Sequence, residues 1–133
     1  MKTQSAVDAM LRAYIECALW STNDESDESG GEPLDQNYTD DDIAPETLAK
    51  MRADVESFHA ANARHIAKWD GSRTSPEDQA GHDLWLTRNG HGCGFWESEW
   101  TDLPGNPGKR LDAAAKAMGE VDLYVGDDGR IYC

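Results

Sequence analysis

Seven residues between positions 48 and 69 constrain this chain more than any other feature. Leu48, Met51, Val55, Phe58, Asn62, His65 and Trp69 step alternately by three and four, the spacing that lines side chains along one stripe of an α-helix. The spacing predicts a helix over 44–69. Pro45 suits its first turn, Glu46 and Lys50 form a well-oriented i,i+4 pair, and Gly71 is placed to stop it. A stripe this long needs a second layer to cover it. Two polar members, Asn62 and His65, interrupt the stripe. The last turns therefore read either as a less buried end of a packed helix or as a seam for a partner or ligand.

The remaining chain supplies candidates for that layer. Over 5–20, Ala6, Met10, Tyr14 and Cys17 or Ala18 recur at helical spacing, and Leu11, Ile15 and Leu19 widen the stripe. This helix should stop near Trp20, where Ser21-Thr22-Asn23-Asp24 competes for backbone hydrogen bonds. Ser75-Pro76-Glu77-Asp78 reads as a helix start that Gly81 ends after little more than one turn. Residues 83–97 read as a β-hairpin turning at Asn89-Gly90. Either turn length sets Leu84, Leu86, Cys93 and Phe95 on a core face, with Trp85 and Trp96 on the other and Gly94 leaving room for Trp85. A loop over 99–108 leads to a helix over 109–118, with Leu111, Ala114, Ala115 and Met118 on a narrow apolar face and Gly119 as its stop. Val121 to Val125 alternates as a strand, Gly126-Asp127-Asp128-Gly129 turns, and Arg130 to Cys133 returns. The expected fold is α+β: one domain over 1–133, in which two longer helices and short helices pack on a small antiparallel sheet of two β-hairpins.

Charge decides which partners are plausible. Asp and Glu total 26 against 12 Lys and Arg, a net −14. Residues 1–42 carry −9, residues 43–69 carry +1, and residues 70–133 carry −6. Direct binding to nucleic acid or to an anionic membrane is disfavoured, and a basic protein or nucleoprotein complex is favoured. Residues 21–42 hold nine carboxylates and no Lys or Arg, with Leu34 and Tyr38 as the only anchors. They read as a mobile, self-repelling loop or as a docking surface. Apolar runs fall short of the roughly 20 residues of a membrane span, and the first residues do not resemble a secretory signal. Cys17, Cys93 and Cys133 are odd in number and lack CxxC spacing, so reduced thiols in a cytoplasm are the expectation.

No cofactor motif is present, and no nucleophile elbow, Walker loop, GxGxxG or HExxH occurs. His82, Asp83 and His91 are the residues on which a small hydrolase or metal enzyme would rest. A hairpin would hold His82 and His91 apart, and His91 with Cys93 supplies two donors where zinc needs three or four. A non-enzymatic reading uses the acids instead. Glu97, Glu99, Asp102, Glu120, Asp122, Asp127 and Asp128 lie on or near the expected hairpins. They are stiffer there than in the 21–42 loop and better suited to imitate the phosphates of DNA. Trp85, Trp96 and Trp100 are candidate aromatic anchors for a partner, or else pack under a helix.

The run His82-Asp83-Leu84-Trp85-Leu86-Thr87-Arg88-Asn89-Gly90-His91-Gly92, then Gly94-Phe95-Trp96, and later Asp122-Leu123-Tyr124-Val125-Gly126-Asp127-Asp128-Gly129 resembles a family of small acidic proteins encoded by bacteriophages and other mobile elements. The resemblance also takes in the first helix and the start of the second. It brings no catalytic residues with it. It implies a protein of the host bacterial cytoplasm that binds and blocks a host nucleoprotein, of restriction or CRISPR type, or a phage regulatory protein whose acidity serves solubility alone.

Overall fold

Helices α1 (Lys2–Ser21), α2 (Pro45–Ile66), α3 (Pro76–Arg88), α4 (Ser98–Thr101) and α5 (Pro107–Ala117) precede strands β1 (Tyr124–Val125) and β2 (Ile131–Tyr132) in the computed structural model, which describes residues 2–25, 31–70, 74–90 and 94–133. Two 3-10 turns, Leu34–Gln36 and Asp40–Asp42, lie between α1 and α2. The fold is mostly helical with a two-stranded antiparallel sheet, which agrees with α+β in outline.

The region 83–97 departs from the expected hairpin. Residues 83–88 are the last turns of α3, and no strand is formed among the described residues of 94–97. The start signal acts as read, with Ser75 Oγ accepting from the Asp78 N–H at 3.1 Å and Pro76 opening the helix. Gly81 does not end it. α1 crosses α3 there, and a Cβ on Gly81 would collide with the Met10 carbonyl oxygen and lie 3.0 Å from the Tyr14 nitrogen. Asn89-Gly90 is the stop: Gly90 takes φ 70°, and Asn89 Nδ2 donates to the Trp85 carbonyl at 3.0 Å. Asn89 Oδ1 accepts from the Val121 N–H at 2.8 Å, tying the helix end to the C-terminal segment. The chain then folds back, and the Phe95 N–H donates to Thr87 Oγ1 at 3.0 Å. Gly94, with φ 151°, makes room for Thr87 rather than for Trp85.

α3 is the central helix. From Asp83 to Arg88 every residue is buried, and α1 and α3 make the most extensive helix contact. α2 buries Thr47, Met51, Val55, Phe58, Asn62 and Ile66, so its stripe ends on Ile66 while His65 stays half-exposed. Asn62 is buried because its amide donates to the Phe58 carbonyl at 3.0 Å. Trp69 follows the helix and packs on Trp100, with ring centroids 4.7 Å apart. Gly71 lies outside the described residues. The 99–108 loop contains the single turn of α4, and α5 starts slightly early, capped by Asn106 Oδ1 on the Lys109 N–H at 3.1 Å.

Arg88 joins four helices from inside the core. Its guanidinium donates to Tyr14 Oη of α1 and Asp54 Oδ2 of α2, both at 3.0 Å. It also donates to the Met118 and Gly119 carbonyls at the end of α5, at 3.1 and 2.8 Å. Asp54 takes a second cation, Lys50, at 3.0 Å. An always-charged group becomes tolerable at this depth because its donors and its charge are matched.

The second expected hairpin is formed. Tyr124 pairs with Tyr132 and Val125 with Ile131. Ile131 is fully buried and bridges to Ile43, while its carbonyl accepts from the Ala44 N–H at 2.9 Å. The acidic stretch preceding α2 is anchored where it is described. Leu34 is buried, the Leu34 N–H reaches the Thr22 carbonyl at 2.8 Å, and Tyr38 packs on the core. Thr39 and Asp42 form a reciprocal capping box.

Candidate functional site

Docking of the hairpin beside Ile43 gathers acids that lie far apart in sequence. Asp40, Asp41 and Asp42 immediately precede the segment on which β2 pairs. Asp24 and Glu25 share a small cleft of about 130 Å³ with Leu123, Tyr124 and Val125 of the hairpin side. Glu120, Asp122, Asp127 and Asp128 are exposed along the same C-terminal segment. Tyr132 Oη donates to Asp128 Oδ2 at 2.6 Å, and the Arg130 N–H donates to Oδ1 at 3.0 Å. The Tyr132 bond holds the Asp128 carboxyl below its ordinary pKa range and pushes the Tyr132 phenol up. Tyr124 is 56% exposed and stacks on Tyr132 with centroids 5.8 Å apart. The face thus combines fixed carboxylates with an exposed aromatic ring.

Glu97, Glu99 and Asp102 belong to another element. The Glu97 carbonyl accepts from the Trp100 and Thr101 N–H groups, opening α4. Glu99 lies on that turn and Asp102 just after it, both exposed. Trp96 precedes them and is 54% exposed.

Two of the three tryptophans are not surface anchors. Trp85 is buried edge-on to Tyr14, and its indole N–H donates to Ser21 Oγ at 2.8 Å. Trp100 is buried against Phe95 and Trp69. A helix turns successive side chains by about 100°, so Trp85 does not share a strand face with Trp96 and the α1 contact covers it. Tyr124 was missed as an exposed aromatic. Its alternation with Leu123 and Val125 was the available signal, since Leu123 is buried and Tyr124 is not.

Of the enzyme constellation, His82 and Asp83 meet. Asp83 is buried and accepts from Trp100 Nε1 at 2.6 Å and Gln79 Nε2 at 2.9 Å, with His82 Nδ1 at 3.1 Å. A buried carboxylate that orients an imidazole is an arrangement general bases use. Cys17 is the nearby thiol, and burial, followed by the charge of Asp83, pushes it up to about 12, where it is protonated and a poor nucleophile. His91 and Cys93 lie outside the described residues. Among the described residues no group of three or more His, Cys, Asp and Glu is gathered to hold a metal ion, and no helix is long and apolar enough to cross a membrane.

Comparison with protein-family models, with curated proteins and with solved structures finds no match to this chain.

Proposed function

We propose that this is a non-enzymatic acidic binding protein that docks on the basic surface of a nucleic-acid-handling complex and competes there with nucleic acid. The observation that carries the reading is the gathering of Asp24, Glu25 and Asp40–Asp42 with the acids of the C-terminal hairpin around one docked edge. Residues separated by about 80 positions then act as one negative field on a folded support, as partial DNA mimicry requires. Such a field speeds encounter with a basic groove and is screened by salt. Given the resemblance to phage and mobile-element proteins, the partner is a host defence nucleoprotein of restriction or CRISPR type, and occupancy of its nucleic-acid path is the means of inhibition. Tyr124 beside the hairpin acids and Trp96 beside Glu97 are two exposed rings available as anchors.

The test is DNA cleavage by purified restriction and CRISPR effector complexes, challenged with the protein at about 0.05 and about 0.5 M salt. The variant D40N/D41N/D122N/D127N should lose most of its inhibition at low salt while keeping its melting temperature. E97Q/E99Q/D102N should lose less. Inhibition unchanged in both variants refutes the electrostatic reading.

A further inference from the structure

A groove of about 760 Å³ runs between α1 and the first turns of α3. Trp20 forms part of its wall and is 58% exposed, the most open large apolar side chain among the described residues. Its ring centroid lies 6.5 Å from that of His82, with the planes tilted by 30°. Glu16 from α1, Asp35 from the first 3-10 turn and Asp78 from α3 also line the groove, and Arg12 is the only Lys or Arg in the lining among the described residues. Among the described residues none of these three carboxylates is engaged in an ion pair.

His82 contributes an acceptor as well. Its Nδ1 faces the Asp83 carboxylate, which already accepts from Trp100 and Gln79. A carboxylate accepts, so in the neutral tautomer that donates from Nδ1 to Asp83 the Nε2 atom keeps its lone pair as an acceptor. Gln79 is turned away from this role, since its amide donates to Asp83 and its oxygen takes the Thr74 hydroxyl at 3.0 Å. The groove therefore offers three carboxylates, an imidazole acceptor and an open aromatic face. An anion is repelled by this lining. A compact ammonium ion has three donors and no flat face. A guanidinium has five donors in a plane that stacks on an indole.

We infer that the groove between α1 and α3 seats an arginine side chain of the partner, its guanidinium stacked on Trp20 and bonded by Glu16, Asp35, Asp78 and His82. The inference rests on the proposed binding of a basic partner and adds its anchor. The hairpin-side acids attract at long range, and the groove recognises one side chain at contact, where binding energy concentrates. The partner is accordingly one that presents an arginine beyond the rim of its basic groove.

The test follows the Trp20 indole N–H and the His82 ring by NMR while the full chain is titrated with acetyl-Ala-Arg-Ala-amide. The same peptide with citrulline, which keeps the shape and loses the charge, should bind at least about tenfold more weakly, and the lysine peptide severalfold more weakly. W20A should weaken arginine binding about threefold and D35N/D78N about tenfold, while E97Q/E99Q/D102N leaves it unchanged. Equal shifts from all three peptides, or wild-type binding by W20A, overturn the inference. The two readings fail separately. If D40N/D41N/D122N/D127N loses inhibition but no arginine site is found, the groove falls and the acidic face stands. If the peptide seats on Trp20 while that variant inhibits like wild type, the groove stands and the electrostatic function falls.

Discussion

α3 and the β1–β2 hairpin are held in place by contrasting means. From Asp83 to Arg88 α3 meets protein on every side, and its polar members Asp83, Thr87 and Arg88 are each hydrogen-bonded within the interior. The hairpin has two residues per strand, exposes Tyr124, and touches the core through Ile131 and Leu123. A segment enclosed all round stakes its stability on pairing every buried donor and acceptor. A segment at the margin stakes it on a few apolar contacts, and its exposed side is free to serve recognition. The interior helix should therefore tolerate least and the hairpin most.

Arg88→Leu is the sharpest way to break that contrast, since it strips partners from Tyr14, Asp54 and two carbonyls at once. It should cost about 3–5 kcal/mol and leave little folded protein in a urea melt. Wild-type stability would mean that Arg88 is not the tie among the helices. Alkali attacks the same interior more gradually. Burial raises Tyr14 and Cys17 to about 12 in the fold, so the protonated forms stabilise it. That contribution is whole below about pH 9, the ordinary thiol value, and is lost as pH climbs through 12, on the order of 3 kcal/mol each. Cys17→Ala should start less stable and then lose less between pH 9 and 12, as read by circular dichroism; an identical alkaline slope counts against the burial of the thiol. Ile131→Ala tests the hairpin's deepest contact and should cost about 2 kcal/mol, near the low end for core truncations because the edge can relax. Tyr124→Ala should change the melting temperature least, by less than about 1 kcal/mol in free energy. A larger loss there would make Tyr124 a structural residue rather than part of an open face.

Burial also explains which parts of the fold could be read in advance. α1, α2, α5 and the C-terminal hairpin each have one wet side, so their apolar residues recur at the period of the element. Leu123, Tyr124 and Val125 alternate as a strand does, and Met51, Val55 and Phe58 recur as a helix does. Around Leu84, Trp85 and Leu86 there is no wet side, and a fully enclosed run has no period to distinguish helix from strand. Asn89-Gly90 then misleads, because positive φ at glycine serves a helix stop as readily as a hairpin turn. The same misreading put Trp85 beside Trp96 on an outer strand face, whereas Trp85 and Trp100 follow the other alternative, packing inside the fold. For the candidate site, the acids were evident as residue types. Their grouping was not, because it depends on Ile131 pairing beside Ile43, a contact between positions almost 90 residues apart. The groove beside Trp20 likewise needs α1 laid on α3, which the close approach at Gly81 permits and nothing near Gly81 in sequence announces.

That close approach also bears on time. Met10 and Gly81 are about 70 residues apart, so on a ribosome adding about 5–20 residues per second the first helix waits on the order of 4–14 s for its partner. Its apolar stripe must spend that interval in solvent, on provisional neighbours or under a chaperone. A nascent chain halted before α3 emerges would keep Met10 and Tyr14 uncovered and invite aggregation, a hazard set by the order in which the helices are made and not by any contact of the finished molecule.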